Sequence, residues 1–391
     1  MKRILFISLF LTIANLSRSY SQTNAGTSVY LITCGPGTET YSVYGHTALR
    51  VFIPEKNSDL IYNWGVFDFE TPNFTWKFAK GRLDYWLDVE PFQQFLESYV
   101  YEKRYVISQK INLDSDEVAK LLGLIAENLK PENVKYRYDF FYDDCSTRIR
   151  DILEKSIGKK LLYPPAEKGN VPTFRQMVGK YQNPFPWLNF GIDLIMGSPG
   201  DKKAYFRDRM FLPLDMQTEL SESVINREGK MIPSLRNPDI ILNYDPPVVI
   251  RHFLTTPVFI FTFLLIVLII LSGLIKQKRI NKIADIVIYS VFSVLAILMI
   301  FFNFFTDHQQ MKLNLNILWL NPVILFCLTF ILLNKPGIIW FRILFFTSAV
   351  FLAVHFILPQ EFNIAFLPLV IILLIRSSVR AGFDWNPIKL K

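Results

Sequence analysis

The chain has 391 residues, enough for a soluble domain and a second part. It is 51% hydrophobic, holds 35 Phe and carries a formal net charge of +8. The apolar residues crowd after Arg251 and much of the basic excess flanks them, so the charge reads as membrane topology and excludes a nucleic-acid partner.

Lys2 and Arg3, the apolar run Ile4 to Leu16, and Ser19-Tyr20-Ser21 before Gln22 predict a secretory signal over 1–21. Export permits disulfides, and a Cys34–Cys145 bridge stays open; Cys327 lies within an apolar run. Thr27 to Thr33 reads as a strand before the Gly35-Pro36-Gly37 turn. Further strands are expected over 47–53, 60–69 and 105–113. Asp114 or Ser115 can cap a helix that carries Leu121, Leu122, Ile125 and Leu129 on one stripe and stops before Pro131. Tyr136 to Tyr142 reads as extended. A second helix begins near Cys145, buries Ile149, Ile152, Leu153 and Ile157, and ends at Gly158.

Residues 22–251 thus form an exported α+β domain. Residues 252–380 form an all-α transmembrane bundle, and 381–391 a cytoplasmic tail. Five spans are expected, at about 253–275, 283–305, 317–334, 338–358 and 362–377. Basic residues Lys276, Lys278, Arg279 and Lys282, then Lys335, then Arg376 and Arg380 mark alternate loops. That pattern puts the C-terminus in the cytoplasm and 22–251 outside, in agreement with the signal.

Two segments of the exported domain carry candidate chemistry, Tyr44-Gly45-His46-Thr47 and Asp144-Cys145-Ser146. Unpaired N–H groups and the positive dipole end at a helix start favour a thiolate at Cys145 and form an oxyanion hole. A thiolate needs a base, and His46 is the histidine of this domain ahead of the membrane-proximal His252. The bland alternatives are a small buried cysteine, a structural histidine, and a disulfide that makes both cysteines inert. Scattered His and Cys residues argue against a metal site, and no cofactor motif is present.

The string Asp144-Cys145-Ser146 resembles the nucleophile motif of NlpC-type papain-like enzymes. Here Gly45-His46 precedes the cysteine, an order that resembles the circularly permuted branch containing lecithin retinol acyltransferase. The whole chain resembles the Lnb-type lipoprotein N-acyltransferases. The resemblance rests on Leu31-Ile32-Thr33-Cys34-Gly35-Pro36-Gly37, Tyr44-Gly45-His46-Thr47-Ala48, Tyr62-Asn63-Trp64-Gly65 and Asp144-Cys145-Ser146. In the membrane part it continues with Thr306-Asp307-His308 and Asn314 to Pro322.

It implies a circularly permuted papain-like domain at the bacterial inner membrane, with Cys145 as nucleophile and His46 as base. Asn63 is the candidate to orient the imidazole, and Asp144 caps the helix. Ser146, Tyr44, His308, Asn316 and Asn321 are candidates to support the site or its substrate. The resemblance implies a phospholipid as acyl donor and a lipidated protein N-terminus as acceptor, with no cofactor. The rival readings are a membrane-anchored cell-wall peptidase or amidase and a non-catalytic exported binding domain. A peptidase needs one anchor and not five spans.

Overall fold

A computed structural model describes residues 26–165, 169–274 and 277–383; the signal segment 1–21, Lys276 and the tail from 384 lie outside the described residues. They form two compact units, and the chain passes between them more than once. The first unit takes the described residues of 26–78, 82–171 and 204–248. The second takes 79–81, 172–203 and the chain from 249, so 172–203 stands with the membrane part and not with the exported domain expected up to 251.

The first unit holds strands β1 Ser28–Cys34, β2 His46–Ile53, β3 Ser58–Val66, β4 Asp84–Pro91, β5 Val106–Lys110, β6 Lys135–Arg137, β7 Leu161–Leu162, β8 Val224–Arg227, β9 Lys230–Pro233 and β10 Asp239–Leu242. Seven of them make an antiparallel sheet in the order β10-β5-β1-β2-β3-β4-β6, and β7-β8-β9 make a second. The large sheet is covered on both faces, so β1 is almost continuously apolar. Val29 and Leu31 join Leu49, Val51 and Trp64 in one core, under the helices Ser115–Asn128 and Cys145–Ile157. Ile32 and Cys34 join Ala48 and Ile61 in another, under the helix Phe92–Glu102.

The expected helix over 115–129 forms as Ser115–Asn128. Asp114 accepts the Glu117 N–H at 2.9 Å while Glu117 reaches back to the Asp114 N–H at 3.0 Å. Strand β4 and the helix after it are among the elements that escaped the sequence reading. Strand β4 buries Tyr85 and Leu87, but Asp84, Asp88 and Glu90 interrupt its apolar pattern. Pro91 then opens the helix Phe92–Glu102. Only Lys135–Arg137 of the expected extended stretch is strand, because the chain turns at Asp139.

The second unit is helical, with Phe174–Gln182, Pro186–Ile195, Pro257–Leu274, Lys278–Phe304, Val323–Leu332, Ile338–Val354 and Phe366–Arg380. The five expected spans differ in length and apolar content. Among the described residues two helices are long and apolar enough to cross a bilayer, Lys278–Phe304 and Ile338–Ile357. A third crossing would be the broken pair Gln309–Leu318 and Val323–Leu332, bent by 54°. The stretch expected as one helix over 317–334 breaks because Asn321-Pro322 interrupts it, and Pro322 instead starts Val323–Leu332. The helix Phe366–Arg380 has 15 residues, and Pro257–Leu274 is apolar over a still shorter run than a full span.

Charges inside this unit are paired. Asp285 is buried and takes Arg376 Nε at 2.6 Å and Arg380 Nε at 2.7 Å; Arg376 also reaches Ser272 Oγ at 3.0 Å. The triad ties Pro257–Leu274, Lys278–Phe304 and Phe366–Arg380 together. Removing one partner of a buried ion pair leaves the other charge unsolvated, at a cost of about 3–5 kcal/mol. Asp285→Ala should therefore lower the thermal unfolding midpoint of the detergent-solubilised protein markedly. An unchanged midpoint would show that the triad does not hold the helices.

Candidate active site

Cys145 is the first residue of its helix, and Asp144 is the cap. Asp144 Oδ1 accepts the Thr147 N–H at 2.7 Å, and Thr147 Oγ1 accepts the Asp144 N–H at 2.7 Å. Ile149, Ile152, Leu153 and Ile157 are all buried, and each contributes about 2 kcal/mol of apolar burial. Cap and stripe together press the helix N-terminus against the sheet, as the spacing predicted, with Asp144 holding backbone. Burial raises the Asp144 carboxyl well above its usual range.

The sulfur sits where the first-turn donors converge. The backbone amides of Thr47, Ser146 and Cys145 itself favour the ionised sulfur, and the Ser146 hydroxyl is 3.9 Å from Sγ. Burial nevertheless wins and raises the Cys145 thiol above its ordinary value. The expectation of a thiolate stabilised by the helix end is corrected on this point. Charge burial costs more than the donors return. All three cysteines are free, so the Cys34–Cys145 bridge does not form. Cys34 is a fully buried core thiol, pushed up to about 12 chiefly by burial.

His46 opens β2, and Asn63 lies on β3. His46 Nε2 is 2.7 Å from Asn63 Oδ1. An amide oxygen only accepts, so Nε2 carries the proton and Nδ1 is left as the basic nitrogen. Burial lowers the imidazole to about 4; the Asn63 bond opposes this shift and Arg104 adds to it. Sγ and the imidazole are not hydrogen-bonded to each other. They are related along the chain through Thr47, which follows His46 and whose amide favours the ionised sulfur.

Two glycines make this approach feasible. Gly45 has φ +79°, and a Cβ there would stand 2.7 Å from Cys34 O and overlap Leu214. Gly65 has φ +93°, and a Cβ there would lie 3.7 Å from Cys145 Cβ. Both are positions that only glycine fills without strain.

Three neighbours were not anticipated. Glu90 on β4 has its carboxyl raised by burial and by Asp88, with Asn63 and His46 opposing the shift, which places a carboxyl beside the His46–Asn63 pair. Arg104 is buried, donates from Nε to Gly35 O at 2.7 Å and pairs with Glu102 at 2.7 Å, fastening the loop that leads to His46. Tyr136 on β6 lies beside Gly65. Only the pairing of strands far apart in the chain brings them to the site, and β4 was not read as a strand. The Tyr44 ring packs at a tilt of 59° against Phe140, with centroids 5.0 Å apart.

The remaining candidates belong to the second unit. Asn316 is fully buried, with Nδ2 on Leu194 O at 3.1 Å and Oδ1 accepting the Trp319 indole N–H at 3.0 Å. Asn321 donates to Leu318 O at 3.0 Å and to Thr347 Oγ1 at 3.2 Å. These amides are occupied by protein partners and hold the segment before the Pro322 break. His308 is packed against Gly81, and the Asp307 N–H donates to Lys80 O at 2.9 Å.

Residues 16–178 match the Lnb N-terminal periplasmic domain, and residues 250–383 match the Lnb transmembrane domain. The chain belongs to the Lnb family. Membership makes it a membrane protein of lipoprotein processing, with a periplasmic domain that holds Cys145, His46 and Asn63. No curated protein and no solved structure matches the chain.

The two shifts act in the same sense. A raised thiol and a lowered imidazole keep the Lnb pair neutral at rest. The folded imidazole value of about 4 lies below its ordinary 6.5, so the base stays unprotonated down to about pH 4. Alkylation of Cys145 by iodoacetamide should climb steadily from about pH 7 to about pH 10, because only the thiolate reacts. A plateau between about pH 5 and pH 8 would reveal a preformed thiolate–imidazolium pair and contradict the neutral site.

Proposed function

We propose that this Lnb-family protein is a thiol acyltransferase. It moves a fatty acyl chain from a phospholipid, through a Cys145 thioester, to the N-terminal amine of diacylglyceryl-cysteine lipoproteins. The observation that carries the reading is Cys145 as the first residue of a buried helix, in the same domain as a His46 ring set by Asn63 at 2.7 Å. A thiol at a helix end and an imidazole oriented by a third polar group are the parts a sulfur nucleophile and its base need.

In the first half-reaction Sγ attacks the ester carbonyl carbon, and the thiol proton passes to His46 Nδ1. The tetrahedral intermediate collapses with loss of the alkoxy oxygen, which takes that proton and leaves as a lysophospholipid. In the second half the amine attacks the thioester, its proton passes to His46, and the departing sulfur recovers it. No cofactor enters, and the kinetics are ping-pong. Both substrates are membrane lipids or lipid-bearing chains, which fits a domain joined to a transmembrane unit. The strand-borne His46 ahead of the helix-borne Cys145 fits a circularly permuted papain-like arrangement. The exported domain faces the periplasm, the bundle is multi-pass in the inner membrane, and the C-terminus is cytoplasmic.

Hydrolysis by the same pair is the rival chemistry, and the sulfur's burial, with only 7% of Cys145 exposed, disfavours it by excluding water. Mass spectrometry of lipoprotein N-termini tests the proposal. Cells carrying Cys145→Ala in place of the wild type should lose N-acylation, with a fall in transfer of at least about 10³-fold. Retained N-acylation in the variant, in cells without another such enzyme, would sink the acyltransferase reading.

A further inference from the structure

The region around Gly65 holds a polar group that nothing in the fold uses. The Tyr136 hydroxyl is buried and has no hydrogen-bond partner among the described residues, and the residue is 8% exposed. A buried hydroxyl without a partner is destabilising, so its retention calls for a ligand. Its position supplies one. The point where a Cβ of residue 65 would stand is 3.9 Å from Tyr136 Oη and 3.7 Å from Cys145 Cβ. The absence of a side chain at Gly65 therefore opens a slot with the nucleophile's residue on one side and an unused O–H donor on another. Tyr138 Cε2, also 3.7 Å from that point, forms an apolar wall.

The surroundings hold the ring and keep the proton on it. The Arg148 guanidinium stacks over the Tyr136 ring at 3.5 Å. Asp143 in turn grips Arg148 with two bonds, at 2.5 and 2.9 Å. Arg148 stands on the Cys145 helix, so one element positions both nucleophile and donor. Burial raises the phenol well above its ordinary value, which leaves a protonated donor across the working pH range.

We propose that Tyr136 is a catalytic residue whose hydroxyl donates a hydrogen bond to the oxyanion formed when Cys145 attacks a lipid ester carbonyl. The inference rests on the acyltransferase reading. As the C–S bond forms, the carbonyl π pair moves onto oxygen, and that charge meets the Tyr136 O–H and the Cys145 backbone N–H. When the intermediate collapses, the pair returns to the carbonyl, the ester C–O bond breaks, and Tyr136 keeps its proton. The resting hydroxyl is unpaired because its partner exists only in the transition state, the condition under which binding accelerates a step.

The test uses the full chain in detergent micelles with a diacyl phosphatidylethanolamine as donor. Mass spectrometry of the intact protein reads the rate of acyl-Cys145 formation, and iodoacetamide alkylation of Cys145 is measured beside it. Tyr136→Phe keeps the ring and its Arg148 stack and removes only the oxygen, so the thermal midpoint should hold. Acylation should slow about 10²-fold, the loss typical of one oxyanion donor, while alkylation stays within about twofold. Unchanged acylation overturns the proposal. So does a parallel fall in alkylation, which would make Tyr136 a modulator of the thiol. A drop in midpoint that accounts for the lost rate assigns the hydroxyl to stability and also overturns it. If the wild type itself forms no acyl-Cys145, the acyltransferase reading fails, and this inference fails with it.

Discussion

The first unit depends on one constraint, a helix that begins inside the protein. Four N–H groups at a helix start have no partner within the helix, and burying them unsatisfied is costly. Here Asp144 takes the Thr147 N–H. Those of Cys145 and Ser146 face the sulfur, together with that of Thr47 from the adjoining strand. A thiol is a weak partner for such donors and a thiolate or oxyanion is a strong one. The arrangement is therefore underused at rest and best matched when negative charge develops. Other features follow from it. Gly45 and Gly65 clear space for the strands to approach, and Ser146 is small and fully buried.

Electrostatics reinforce the same logic. Burial raises the Cys145 thiol and lowers the His46 imidazole, so neither charge is present before the reaction. In the proposed reaction proton transfer accompanies attack and does not precede it. Asn63 and Glu90 continue from the imidazole on the side away from its basic nitrogen, which selects the tautomer. A neutral, desolvated site also suits an ester embedded in acyl chains better than one dissolved in water.

The second unit solves a different problem with buried polar groups. Arg175 is almost enclosed and spends its donors on Asp193 at 3.1 Å, Asp201 at 2.9 Å and Met196 O at 3.0 Å. Asn314 and Asn316 both reach Leu194 O, and Gln360 reaches Asn314. These contacts fix irregular backbone between helices, where an unsatisfied amide would cost several kcal/mol in an apolar setting. The asparagines that stood out in the sequence as candidate site support are thus occupied in holding the segment that breaks at Pro322.

Much was determined by local pattern alone. The cap at Asp144 and the stripe Ile149, Ile152, Leu153 and Ile157 define a helix wherever they occur, so Cys145 at its start was legible in the sequence. The same holds for Asp114 with Glu117, for the apolar strand β1, and for the apolar stretches after Arg251. Asn63 could be singled out because it follows the histidine strand by one hairpin. Tertiary structure alone decided the rest. Whether the thiol ionises depends on how completely it is buried, a quantity no window of sequence contains. Glu90, Arg104 and Tyr136 reach the site through pairings between distant strands and loops, and β4 hides its apolar alternation behind charges that face outward. Among the described residues Pro322 breaks one apolar run and the last helix has 15 residues, so span length too is decided by local breaks. Periodicity reads one element at a time, and the register between elements sets which groups meet.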